Sequence, residues 1–375
     1  MAADQRLHEL DGLRGLLALY VAVYHLAAPL SQPGMSLAWL HPLLEPAWFA
    51  VDMFFVMSGF VMTHVHGAAF GVGYGSPALR HFFVARVARL YPVHLFALVV
   101  MAIGILPFAL HKPEFTSPDG RFAWTAGLAS LLMLHGPWIA QRTWNYPAWS
   151  VSAEMHAYLI FPLLAPLIAR LRNAGLAALA TACTLVPFVV YQFDLAGETH
   201  PTNGLIVLAR VLPLFAVGMA AYRFRALAAM RSTAVACVAF VLVPVLLLTP
   251  ASSALAVLLA PIVLLSALGH PGVRGALSRP GLVWLGRISY SLYMTHALVE
   301  MFGVDVAVRR FARSFHIDIV ANPLASAALL LAAVGAAVLL GAATWRWIEV
   351  PGRQLVLRLL ARRGKARAAL HFSNP

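Results

Sequence analysis

The chain has 375 residues, 61% hydrophobic and 11% charged, with a mean hydropathy of +0.80. That balance excludes an ordinary soluble enzyme and points to an all-α, polytopic membrane protein, because apolar runs long enough to span a bilayer recur along the whole chain. A net charge of +13, from 27 Lys+Arg against 14 Asp+Glu, could suit a nucleic-acid binder, but the basic residues sit between the apolar runs, where the positive-inside rule accounts for them and no nucleic acid is needed.

In chain order, ten apolar runs predict ten transmembrane helices: 13–30, 47–65, 91–110, 148–168, 174–192, 205–222, 233–249, 251–269, 282–302 and 322–347. The first run resembles a signal peptide in length, but the later spans, and its own Arg14 and His25, predict a retained helix. One further run, 123–138, is short; if it crossed, every later helix would reverse. With ten spans and the N-terminus inside, inner segments hold 20 of the 27 Lys+Arg, outer segments hold six, and Arg210 lies within a span. An eleventh span would put most of the later arginines outside. The segment 123–138 is therefore expected to be re-entrant or interfacial. Cys183 and Cys237 lie in apolar runs and are expected to be small buried thiols, and no disulfide framework or metal-ligand spacing is present. Residues 1–353 read as one membrane domain. Residues 354–375 read as a basic amphipathic tail, cytoplasmic and resting on anionic lipid.

The chemistry is carried by ionisable residues inside the spans. Arg14 and His25 are eleven residues apart, which puts them on one helical face, about 16 Å apart along the axis. Asp52, Glu154, Arg210 and His296 come from four other spans at a depth like that of His25, nearer the outer end. Intramembrane ionisable residues mark functional sites, and carboxylates at this depth need partners. A carboxylate on one imidazole nitrogen raises the basicity of the other, as a general base for an alcohol requires. Asp52 and Glu154 are the two candidates to orient His25. At the inner mouth, "RHFFVARVARLYP" carries Arg80, Arg86 and Arg89. Arg86 and Arg89 share a face and suit a phosphate or pyrophosphate. Ser58, beside Gly59 in mid-span, suits close helix packing, since no nucleophile elbow surrounds it. "TWNYPAWSVSAE" gathers Asn145, Trp149, Ser150 and Glu154 at the outer interface, where Trp side chains can stack on sugar rings. A proton-coupled transporter is the alternative reading of buried charges on several helices.

Six ordered motifs resemble the acyltransferase-3 family, the integral-membrane O-acyltransferases of bacterial surface polysaccharides and related acceptors. They are the Arg14–x10–His25 pair, "VDMFFVMSGF", "RVARLYP", "NYPAWSVSAE", "LGRISYSLYMTH" (with Tyr290 and His296) and "WIEVPGR". The resemblance covers about residues 7–353. It implies a bacterial inner-membrane enzyme that uses acyl-CoA, normally acetyl-CoA, as co-substrate with no bound cofactor. It implies a glycan or glycolipid acceptor at the outer side, a catalytic His25, donor binding by Arg14, and CoA phosphates on Arg86 and Arg89. Some members add an extracytoplasmic hydrolase-like domain; a chain ending at 375 is expected to be a stand-alone transferase. Direct attack on the thioester and an acyl-histidine intermediate both suit the pattern.

Overall fold

The computed structural model describes residues 7–71, 75–111, 117, 120–141, 143–195, 197, 199–309 and 318–359, which are mostly helical with no strand among them. Each of the ten apolar runs forms a helix. They are α1 (His8–Ala27), α2 (Ala47–Gly71), α3 (Ser76–His111), α4 (Ala148–Arg170) and α5 (Asn173–Gln192). The second half comprises α6 (Ile206–Phe224), α7 (Thr233–Leu247), α8 (Ser252–Gly269), α9 (Pro280–Val299) and α10 (Pro323–Thr344). The helical run of α10 continues to Leu359. From residue 360 on, the predicted basic tail lies outside the described residues.

Eight of these helices are long and apolar enough to cross a membrane. The other two are α7, which is shorter, and α9. The 20 residues of α9 include Ser289, Ser291, Thr295 and His296, all buried by neighbouring helices. A span wrapped in protein can carry groups that lipid would reject. The chain is a multi-pass membrane protein.

Segment 123–138 does not cross. It breaks into Trp124–Leu131 and His135–Trp138, with Met133 in the left-handed region at φ 55° between them. Eight helical residues rise only about 12 Å. Trp124, Leu128, Leu132 and Trp138 face outward.

Helix direction supports the same count. Gly15 meets Gly286, Arg14 meets Ser289 and His25 meets His296, so α1 and α9 run parallel. Parallel neighbours need an odd number of crossings between them, and α2 to α8 supply seven. The two backbones touch. A Cβ on Gly15 would lie 2.6 Å from the Gly286 nitrogen, and one on Gly286 would lie 2.0 Å from the Asp11 carbonyl oxygen. A second seam joins α2 to α6, where a Cβ on Gly59 or Gly218 would lie 1.9 Å from the facing carbonyl of Phe215 or Val56. Gly59 thus serves the close packing expected of the Ser58–Gly59 pair. Only glycine permits such approach, and small-residue seams are how helices hold each other in lipid.

Candidate active site

The α1–α9 seam fixes two side-chain meetings on one helix pair. Near the start of α1, Arg14 donates to Asp11 at 2.5 Å and to the Ser289 hydroxyl at 3.2 Å. Eleven residues on, about 16 Å along the axis, the His25 ring stacks on His296 with centroids 5.0 Å apart. His25 Nδ1 lies 3.0 Å from the Val21 carbonyl oxygen and 3.1 Å from His296 Nε2. A carbonyl only accepts, so Nδ1 carries the proton and shares it with His296 Nε2. The lone pair of neutral His25 is then on Nε2, the nitrogen a general base uses. The Tyr146 ring lies 4.9 Å from the His25 ring, and its hydroxyl donates to the Glu300 carboxylate.

Beside this pair lies a cavity of about 280 Å³. Four guanidinium groups line it: Arg14, Arg86, Arg89 and Arg353. Arg89 pairs with Glu349, whose other oxygen accepts from Ser291 at 2.6 Å. Arg89 also sits 5.4 Å over the Tyr290 ring, whose hydroxyl donates to the Leu90 carbonyl. Arg86 is held differently. It lies against the rings of Phe82 and Tyr158, 3.4 Å from the Met62 sulfur, and its Nε has no hydrogen-bond partner. Glu154 accepts from Tyr158 at 2.6 Å, and that phenol oxygen lies 3.1 Å from Ser58. Because the Tyr158 proton goes to the carboxylate, Ser58 donates to Tyr158 and turns its lone pairs elsewhere. Ser150 and Tyr293 also line the cavity and are hydrogen-bonded at 2.8 Å. The Tyr293 ring is also 5.8 Å from His296, so one aromatic ring borders the cavity and neighbours the histidine pair.

The five ionisable groups expected at one depth therefore divide sideways. His25 and His296 pair with each other, and Glu154 faces the cavity with Ser58, Tyr158 and Arg86. Asp52 and Arg210 form a third group. Arg210 Nε donates to Asp52 at 2.7 Å, and its other nitrogens donate to Pro201 and Trp48 carbonyls at 3.0 Å. The second Asp52 oxygen accepts from Tyr191 at 2.9 Å, and Trp149 lies under the guanidinium at 5.2 Å. Asp52 is one of the two candidates to orient His25; instead its oxygens are taken by Arg210 of α6, which the α2–α6 seam puts beside it, and by Tyr191 of α5. Glu154, the other expected partner, is directed to Tyr158 by their i,i+4 spacing. Asn145 donates to the Met294 carbonyl at 3.0 Å and ties the α4 entry to α9, two residues before His296.

Sequence reasoning missed Tyr146, Tyr158, Tyr293, Glu300 and Arg353. Tyr146 stands inside a quoted motif. Tyr293 and Glu300 flank His296 at helical spacings of three and four residues, a signal that could have found both.

Comparison with known proteins settles the class. Residues 7–342 match the acyltransferase-3 model, an acyltransferase domain. The chain belongs to the acyltransferase-3 family. It is 29% identical to acyltransferase MdmB of Streptomyces mycarofaciens, over 96% of this chain and 93% of that protein. It is 28% identical to O-acetyltransferase OatA of Staphylococcus aureus, over 44% of this chain and 25% of that protein. A 36% identical match, over 39% of this chain and 75% of the relative, is protein 2 in the picA locus of Rhizobium radiobacter. No solved structure matches the chain. The protein is a membrane O-acyltransferase, and the family decides for the enzyme over the carrier.

Proposed function

We propose that the protein takes an acyl group, acetyl in the simplest case, from cytoplasmic acyl-CoA and transfers it to a hydroxyl of a glycan or glycolipid at the outer face of the bacterial inner membrane. The observation that carries this reading is the run of groups from an arginine-lined cavity, past Tyr293, to the His25–His296 pair. The arginine end faces the cytoplasm under the positive-inside rule, with both termini on that side. CoA phosphates lie against Arg86 and Arg353, while Arg14 and Arg89, neutralised by Asp11 and Glu349, offer N–H donors rather than net charge. The pantetheine arm passes the apolar wall formed by Phe54, Phe55 and Met62, and about 16 Å separates Arg14 from His25. Tyr293 must turn aside for the thioester to reach the imidazole.

At the far end, His25 Nε2 takes the acceptor hydroxyl proton as the oxygen attacks the thioester carbonyl. The imidazolium is stabilised through Nδ1 by the Val21 carbonyl and His296. The C–O bond forms, the C–S bond breaks, and the CoA thiolate takes the proton back from His25. Glu300, held by Tyr146, adds negative charge beside the imidazolium. Asp52 and Arg210 hold the helices that frame this reaction rather than take part in it.

The test is transfer of labelled acetyl-CoA in proteoliposomes, with surface glycan or glycolipid as acceptor. Label should appear as an alkali-labile ester on the acceptor. His25→Ala should reduce the rate by about 10²–10⁴-fold with normal insertion and thermal stability. Wild-type transfer rates in that variant would remove His25 from the mechanism, and uptake of label without ester formation would remove the donor assignment.

A further inference from the structure

A second basic pocket lies away from the cavity, and none of the chemistry above uses it. It has a volume of about 300 Å³ and is formed by the loop after α6 and the turn after α8. Arg225, Arg231 and Arg274 line it, and among the described residues no carboxylate does. The two loops are seated on each other: a Cβ on Gly269 would lie 2.7 Å from the Met230 Cβ. Arg225 is fixed in place, its guanidinium 3.9 Å over the Tyr222 ring and one nitrogen donating to the Tyr222 carbonyl at 2.7 Å. Its remaining N–H groups are left for another partner. In the catalytic cavity, by contrast, Arg14 and Arg89 already have Asp11 and Glu349.

What surrounds the pocket identifies its occupant. Arg231 stands two residues before α7, and α7 turns Val241, Leu242 and Val245 outward. Leu227, on the rim, is also exposed. An apolar outer surface therefore follows the arginines along α7, its large exposed side chains beginning about 12 Å past Thr233. From Thr233 to Leu247, α7 rises only about 22 Å, less than the ~30 Å hydrocarbon core, and a short helix draws headgroups toward its ends. The short turn helix Pro271–Leu277, which carries Arg274, packs on α1 at Gly12, so the pocket opens on the same face as the arginine end of α1.

We propose that this pocket binds the phosphodiester headgroup of an anionic phospholipid, with the acyl chains lying along α7. Three guanidinium groups around one concave space match a phosphate with further polar oxygens, and basic pockets between membrane helices select anionic lipids. A soluble phosphate offers the same oxygens without the chains, so the apolar flank favours the lipid.

Native mass spectrometry of the full chain in neutral detergent tests this. Phosphatidylglycerol should remain as a single adduct where phosphatidylcholine is lost, and millimolar inorganic phosphate should leave the adduct in place. The triple variant Arg225→Gln, Arg231→Gln, Arg274→Gln should weaken retention by about a hundredfold, with unchanged elution volume and acyl-transfer rate. Equal retention by variant and wild type would overturn the site. Equal retention of phosphatidylcholine, or removal of the adduct by inorganic phosphate, would overturn the lipid assignment. Should the triple variant fail to fold, photoactivatable phosphatidylglycerol on wild-type protein decides: crosslinks in peptide 225–231 support the site, and crosslinks confined elsewhere refute it.

Discussion

Two arginines inside the bundle have opposite lives. Arg210 is 1% exposed, and its guanidinium engages Asp52, two backbone carbonyls and two aromatic rings. Arg86 lines a cavity, leans on two rings and a thioether, and leaves its Nε without a partner. A buried charge whose every nitrogen has an acceptor within the protein holds helices together. A charge left short of partners in a cavity is prepared for something that arrives. The same side chain thus serves architecture in one place and recognition in another, and its hydrogen-bond accounts tell the two apart.

The contrast can be broken most decisively at Arg210. Replacing either partner alone, Asp52→Ala or Arg210→Met, strands a buried charge and should cost about 3–5 kcal/mol in unfolding free energy. The double variant Asp52→Leu, Arg210→Met should recover most of that loss, since both charges go together. Reversible unfolding in mixed micelles measures all three; a harmless single variant would show that the pair is not structural. Arg89 falls between the extremes, because it both pairs with Glu349 and faces the cavity. Arg89→Gln should lose about 1–3 kcal/mol of stability and also raise KM for the acyl donor. Arg86→Gln sharpens the distinction from the other side. Its melting temperature should match wild type, while KM for the donor rises about 10- to 100-fold, the value of one or two charge-assisted hydrogen bonds. A destabilised Arg86→Gln with unaltered KM would place Arg86 with the architecture.

Much of this was legible in the sequence, though unevenly. Apolar run length gave all ten helices, because a bilayer demands about twenty residues per crossing. The basic residues excluded a crossing at 123–138, and the parallel seam of α1 and α9 agrees. The eleven-residue spacing of Arg14 and His25 put both on the face that meets α9. Depth could be counted from each helix end, but which helix stands beside which could not. That sideways arrangement depends on glycine seams whose partners lie far apart in the chain, Gly15 with Gly286 and Gly59 with Gly218. Five groups at one depth therefore looked like one cluster. The seams divide them, giving Asp52 to Arg210 and His25 to His296. Tyr293 stands three residues before His296 in the sequence, but only the assembled bundle shows that its ring also borders the cavity.

The glycine seams also decide how the enzyme can breathe. Backbones in contact cannot part without opening a void, so α1 with α9 behaves as a single stiff unit, and α2 with α6 is clasped along its seam even though α6 carries Pro213. Of the other helices around the cavity, α3 carries Pro92 and Pro107 and α4 carries Pro162 and Pro166. Each proline removes a rung from its helical ladder and leaves a place to bend. An acyl donor that needs more room than the resting cavity offers obtains it by flexing α3 and α4, while the imidazole pair on its rigid mount keeps its alignment.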